Sequence, residues 1–303
     1  MATTIGRLLT AMVTPFDEAG EVDYVAARRL ARALVASGSD GLVVTGTTGE
    51  SPTLTTEEKL RLYREVKDEV GGSASVIAGT GNYSTRESIE LTREAERIGV
   101  DGCLLVVPYY NKPPQDGLYA HFRTIAEATS LPCILYNVPS RTITNMTAET
   151  TIRLSEIPNV AGIKEASANM EQIGKIIQGT RDDFLIWSGN DGDTLPILAL
   201  GGYGVVSVAS HLVGNQLQDM IRAFVKGDTA RAAQIHNGLL DLVNHLFITT
   251  SPIPVKYLLN KAGFPAGPTR LPLGPADAKT ATALDAMLTR ITVDLPIEQP
   301  AAV

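Results

Sequence analysis

Apolar residues along this chain gather into short runs separated by longer stretches with helical spacing. The runs lie at Leu8–Val13, Gly41–Val44, Ser75–Ala78, Gly102–Val106, Cys133–Tyr136, Val160–Ile163, Phe184–Trp187 and Val205–Val208. Each is nearly free of polar side chains, as expected of a strand covered on both faces rather than on one. Helical periodicity fills the gaps, at Val22–Val35, Thr56–Val70, Ser84–Ile98, Gly117–Ala128, Met170–Ile177 and Asp193–Leu200. The segment Ser84-Thr-Arg-Glu87 reads as a capping box at the start of the third of these. Eight strand-then-helix units with short connections predict an α/β protein, a closed parallel (β/α)8 TIM barrel. An open doubly wound sheet competes with it. That fold usually has fewer strands and a glycine-rich turn after the first, whereas Val13-Thr-Pro-Phe16 follows the first run here.

The pattern changes after Val208. Asn215–Val225 closes the eighth unit, and Ala230–Phe247, Val255–Ala262 and Ala276–Ile291 read as further helices. Gly227, Pro252, Pro254 and the stretch Gly263–Pro275 punctuate them. The expected division is a catalytic barrel over residues 1–226 and a small C-terminal helical region over 227–303, with the tail Pro296–Val303 frayed.

Composition narrows the function classes. A length of 303 residues suits one barrel of about 250 residues plus an appendage. A formal net charge of −7 argues against nucleic acid or an anionic membrane surface as partner. No run of 18 or more apolar residues occurs, so no membrane helix is expected. Met1–Arg7 has neither the charged nor the apolar region of a signal peptide, which points to the cytoplasm. The two cysteines, Cys103 and Cys133, sit inside apolar runs and read as buried free thiols. His121, His211, His236 and His245 include no i, i+4 ligand pair, and neither a metal nor an organic cofactor is expected.

In such a barrel the residues just past each strand face the active-site mouth. Lys164 follows the apolar run Val160–Ile163, where an unpaired ammonium is costly. As a neutral amine in a dry site it would form a Schiff base with a carbonyl substrate. The plainer alternatives are a strand-end lysine reaching solvent or a pair with Glu165. Strand two ends in Thr45-Gly-Thr47-Thr48-Gly49-Glu50-Ser51, whose amides and hydroxyls can wrap a carboxylate or form an ordinary turn. Strand four ends in Pro108-Tyr109-Tyr110-Asn111, and strand five in Tyr136-Asn-Val-Pro-Ser-Arg141. Tyr136 can move protons and the Arg141 fork suits a carboxylate. Strands seven and eight supply Ser188-Gly189-Asn190-Asp191 and Val206-Ser207-Val208, small residues that leave space for a ligand. Together these residues specify carbon–carbon bond chemistry on a 2-oxo acid.

Gly46-Thr-Thr-Gly-Glu-Ser51, Tyr109-Tyr110-Asn111, Tyr136-Asn-Val-Pro-Ser-Arg-Thr142 and Gly162-Ile-Lys-Glu165 occur in the order found in the pyruvate-dependent class I aldolase (N-acetylneuraminate lyase) superfamily, which the chain resembles over nearly its whole length. The resemblance is strongest to the branch that condenses pyruvate with L-aspartate-4-semialdehyde to 4-hydroxy-tetrahydrodipicolinate, the first committed step towards diaminopimelate and lysine. It implies that Lys164 forms the pyruvate imine. Tyr136 would be the general acid and base, linked through Thr48 to Tyr110 of a neighbouring subunit in a homotetramer built as a dimer of dimers. Thr47 and Thr48 would hold the pyruvate carboxylate with backbone help from Gly189 and Val206, and Arg141 would bind the semialdehyde carboxylate. Relatives that cleave sugar-derived 2-oxo acids generally lack that arginine. A different pyruvate-dependent aldolase or lyase is the alternative, and a non-enzymatic sensor barrel a more remote one.

The resemblance also implies a regulatory lysine pocket at Ser51, Pro52, Thr56, Lys59, Tyr83, Glu87 and Tyr109. Thr56, Lys59 and Tyr83 depart from the strongly inhibited pattern, and Lys59 would repel a cationic ligand. Weak or absent lysine feedback is the expectation.

Overall fold

The computed structural model describes residues 5–296. Residues 1–4, and all of the tail expected to fray except Pro296, lie outside them. Eight parallel strands form a closed barrel in chain order: β1 (Leu8–Ala11), β2 (Gly41–Val44), β3 (Ser75–Gly79), β4 (Gly102–Val106), β5 (Cys133–Asn137), β6 (Val160–Glu165), β7 (Leu185–Ser188) and β8 (Gly204–Ser207). The observed ends differ from the apolar runs by at most two residues. Polar Lys164 and Glu165 belong to β6 because they remain in register with Tyr136 and Asn137 of β5.

The helices are α1 (Tyr24–Ala36), α2 (Thr56–Val70), α3 (Thr85–Ile98), α4 (Gln115–Ala126), α5 (Pro139–Thr142), α6 (Ala148–Ser155), α7 (Met170–Gly179), α8 (Thr194–Leu200), α9 (Ser210–Val225), α10 (Thr229–His245), α11 (Ile253–Lys261) and α12 (Ala278–Leu288). Neither the single turn α5 nor α6 was expected from the pattern. The sequence of α6, Ala-Glu-Thr-Thr-Ile-Arg-Leu-Ser, is rich in residues of weak helix propensity, and its apolar face is short. Helix α9 starts five residues earlier than expected and bends at Val213, where φ is −134° and ψ 39°.

The capping box expected at Ser84 is only half made. Ser84 Oγ accepts from the Glu87 amide, but the Glu87 carboxylate accepts from Asn82 Nδ2 instead. A full box stands at the start of α2, where Thr55 and Glu58 cap each other reciprocally.

The barrel interior is filled by alternate strand residues, among them Leu9, Val43, Ile77, Leu104, Ile134, Tyr136, Trp187 and Val206. Residues between them in sequence point outward and pack under the helices. Trp187 is the largest fully buried side chain, and its indole N–H donates to the Gly6 carbonyl at 2.9 Å. Its ring needs Gly162 beside it, since a Cβ there would stand 2.8 Å from Trp187 Cζ3 and 2.1 Å from the Leu185 carbonyl oxygen. Cys103 and Cys133 are buried, free, and paired in register on β4 and β5. No helix among the described residues is long and apolar enough to cross a membrane.

Candidate active site

Lys164 lies on the inward face of β6, between Tyr136 and Trp187 in register. The residue is 5% exposed, and its Nζ stands 4.2 Å from the centroid of the Tyr136 ring. No carboxylate within ion-pair distance and no hydrogen-bond acceptor holds that nitrogen among the described residues. Strand alternation disposes of the pairing with Glu165, whose carboxylate points outward. There it accepts from Asn137 Nδ2, the Ser167 amide and Gln172 Nε2. Burial raises the Glu165 pKa, and those donors hold it back. Its network ties the ends of β5 and β6 together behind the lysine.

The lysine opens into a cavity of about 320 Å³ walled by Thr47, Thr48, Tyr136, Arg141, Gly189 and, from the segment between α10 and α11, Phe247 and Thr249 to Ser251. Thr47 and Thr48 are there because the loop after β2 turns sharply at both ends. Thr45 and Glu50 hold left-handed φ values of 54° and 57°, a conformation costing on the order of 1–3 kcal/mol for a residue with a Cβ. The cost at Thr45 is offset by its hydroxyl, bonded to Tyr63 Oη at 2.8 Å. Among the described residues no backbone acceptor takes the Thr47 or Thr48 amide, so both remain available to an anion.

Arg141 reaches the same cavity from α5. Its Nη2 donates to the Ser251 carbonyl at 3.3 Å, which leaves most of the guanidinium fork unused. Gly189 follows β7, where a Cβ would stand 2.6 Å from that of Ala166. Val206 does not reach the cavity. It packs one layer deeper in the interior, and Val208 supplies the wall from β8. Tyr110 is also absent from the cavity: it is 93% exposed at a φ of 74°. No hydrogen bond joins Thr48 to Tyr136 among the described residues.

A model of the dihydrodipicolinate synthetase family matches residues 4–291. The chain belongs to that family. A 4-hydroxy-tetrahydrodipicolinate synthase from Dehalococcoides mccartyi is 62% identical over 294 residues, covering 97% of this chain and 99% of the relative. Among solved structures, a dihydrodipicolinate synthase from Cyanidioschyzon merolae with lysine bound superposes with a TM-score of 0.93 at 51% identity, over 94% of this chain and 98% of that one. One from Bacillus anthracis gives 0.93 at 47%, over 96% and 99%. The (β/α)8 barrel is thus the fold of the family's solved structures as well.

All seven residues expected to form a regulatory pocket in the family line one cavity of about 540 Å³. Tyr83 and Tyr109 meet there edge to face, 5.1 Å between centroids. Burial lowers the pKa of Lys59, and the nearby Glu87 carboxylate opposes that shift. A third cavity of about 210 Å³ lies between the two and shares Thr47, Tyr136 and Arg141 with the lysine cavity, Ser51, Pro52 and Tyr109 with the other.

Two buried groups near the lysine were not evident from sequence. Asp191 accepts from the Ser207 hydroxyl and from the Val208 and Ala209 amides, fastening the β7 loop to the end of β8. Burial raises its pKa, and those donors and the charge of Lys164 oppose the rise. His211 Nδ1 bonds the Val208 carbonyl at 2.9 Å and its Nε2 accepts from the Val13 amide at 3.1 Å, a neutral ring joining β8 to the loop after β1. In the sequence Asp191 stood in the loop after strand seven and His211 only among the histidines weighed as metal ligands, and only the barrel closure reveals what they join.

Proposed function

We propose that the chain condenses pyruvate with L-aspartate-4-semialdehyde through an imine on Lys164, giving 4-hydroxy-tetrahydrodipicolinate. The observation carrying this reading is a buried lysine without a carboxylate partner, set against a tyrosine ring in a cavity that also holds Arg141 and the Thr47–Thr48 loop. A lysine kept for structure would have been paired; one kept for chemistry needs its amine free.

In this reading the Lys164 amine adds to the pyruvate ketone carbon, and water leaves as the imine forms. Loss of a proton from the pyruvate methyl gives the enamine, whose carbon attacks the aldehyde carbon of the second substrate. The new alkoxide takes a proton, and the semialdehyde's own amino group then attacks the imine carbon, closing the ring and releasing Lys164. Tyr136, adjacent to the amine, moves these protons. The Thr47 and Thr48 amides and hydroxyls hold the pyruvate carboxylate, with Gly189 as the opposite wall, and Arg141 holds the carboxylate of the aldehyde. Val206 contributes by packing below the site.

We further infer a homotetramer, a dimer of dimers, in which the exposed Tyr110 of one copy meets Thr48 of another and completes the proton path. Residues 1–226 then act as the catalytic barrel and 227–303 as a C-terminal helical region, in a cytoplasmic enzyme. At the second cavity we infer weak lysine feedback, because the Lys59 ammonium already stands beside Glu87, where a ligand's ammonium would bind.

Product formation from the two substrates, compared with that from pyruvate and polyol aldehydes, tests the proposal. Selective turnover of the amino-acid aldehyde is expected. Preference for a polyol aldehyde would transfer the chain to another pyruvate-dependent aldolase activity.

A further inference from the structure

A second buried lysine lies away from the imine site. Lys256, near the start of α11, is 2% exposed, and its Nζ donates to Glu50 Oε1 at 2.9 Å and to the Pro268 carbonyl at 2.6 Å. The third side of the ammonium faces the Phe16 ring, 4.1 Å from its centroid. The other Glu50 oxygen accepts from the Arg270 amide at 2.9 Å. Both carboxylate oxygens are therefore held by the C-terminal region, more than 200 residues away in sequence.

Glu50 is two residues past Thr48, in the left-handed conformation that ends the threonine loop, and its amide donates to the Thr47 carbonyl at 3.1 Å. Moving this carboxylate would move the amides that face the lysine cavity. The Arg270 side chain fixes the same junction from outside. It donates to the Thr53 and Gly20 carbonyls, forms an ion pair with Glu58, and lies over the Phe16 ring, 4.4 Å from its centroid.

We propose that Glu50 and Lys256 are a positioning pair by which the C-terminal region holds the Thr47–Thr48 loop in its carboxylate-binding shape, so that this pair sets the affinity for the 2-oxo acid without touching it. The inference rests on the reading that this loop binds pyruvate. A buried carboxylate deprived of its cation must either take up a proton or pull its loop towards water, and either change reaches Thr48. Burial and the Arg270 charge lower the Lys256 pKa to about 8 against the pull of Glu50. Arg270, Glu50 and, through Arg270, Glu58 are the charged groups facing it.

The test is the pyruvate concentration giving half-maximal borohydride trapping, measured on the full-length protein as wild type, K256M, E50Q and E50Q/K256M. Trapping of the wild type at Lys164 establishes the underlying reading separately. Given that, K256M and E50Q should each raise the half-saturating pyruvate by about tenfold or more, equivalent to ~1.4 kcal/mol, while the KM for the aldehyde stays within about twofold. The double variant has no unpaired buried charge, so its Tm should recover while its pyruvate affinity stays low. If K256M does not fold, E50Q, which keeps the side chain's shape, carries the same comparison. Single variants with wild-type half-saturation would overturn the proposal. So would a double variant whose pyruvate affinity returns with its Tm, because the pair would then serve stability alone.

Discussion

Replacing Arg141 by alanine should separate the two substrates. The guanidinium makes one long bond to the Ser251 carbonyl at 3.3 Å, so little of the fold depends on it. A charge-assisted hydrogen bond to a carboxylate is worth about 1.5–3 kcal/mol. Arg141 is an exposed residue, so solvent screens the interaction, and the two bonds of a fork together should contribute roughly 2–3 kcal/mol. That corresponds to a 30- to 150-fold loss at ~1.4 kcal/mol per factor of ten. The loss should fall on kcat/KM for L-aspartate-4-semialdehyde, measured by initial rates at saturating pyruvate. Half-saturation of borohydride trapping by pyruvate should stay within about twofold, since the imine forms before the aldehyde arrives. Equal losses for both substrates would mean that Arg141 shapes the cavity as a whole. An unchanged kcat/KM would remove the reason for assigning an acidic aldehyde.

Tyr136→Phe keeps the ring that covers Lys164 and removes the hydroxyl, so kcat should fall by about 10²–10⁴; full activity would take Tyr136 out of the proton path. Gly162→Ala places a methyl 2.1 Å from the Leu185 carbonyl oxygen and 2.8 Å from Trp187. At about 1–3 kcal/mol for overpacking, its Tm should drop by roughly 2–5 °C for a chain of 303 residues, and an unchanged Tm would contradict the packing described. Burial lowers the His211 pKa to about 4. The unfolded state therefore binds the extra proton first, and the fold should lose stability, at most about 3 kcal/mol from this group, as the pH falls from 6.5 to 4. His211→Asn should flatten that acid slope of Tm; an identical slope would show that another group sets it. Millimolar lysine should leave more than half the activity, and half-maximal inhibition at micromolar lysine would refute the role given to Lys59.

The barrel was readable because each strand is covered on both faces and so appears as a short apolar run. What lay on the strand ends was readable too, since Tyr136 ends its run, Lys164 follows its run directly, and Thr47 and Arg141 stand in the loops just beyond theirs. For Lys164 the structure removes the plainer alternative of a pair with Glu165, which it turns outward, and leaves the amine against a ring. Other features depend on where distant segments meet. Lys256 looks like an ordinary helix residue until α11 is seen to carry it onto Glu50. Asp191 acquires meaning only when β8 lies against β7, and His211 only when β8 closes on β1. Val206, expected to offer backbone help to the pyruvate carboxylate, packs one layer below the cavity, because strand alternation makes Val208 the next inward position. Helix α6 escaped notice because its threonines give little periodicity.

Incubating the protein with pyruvate and borohydride, then mapping the adduct by mass spectrometry, tests whether Lys164 forms the imine. A single reduced pyruvate adduct on Lys164, absent in Lys164→Ala, is the predicted result. A protein that turns over its substrates with no adduct at Lys164, or with the adduct on another lysine such as Lys256, would contradict it.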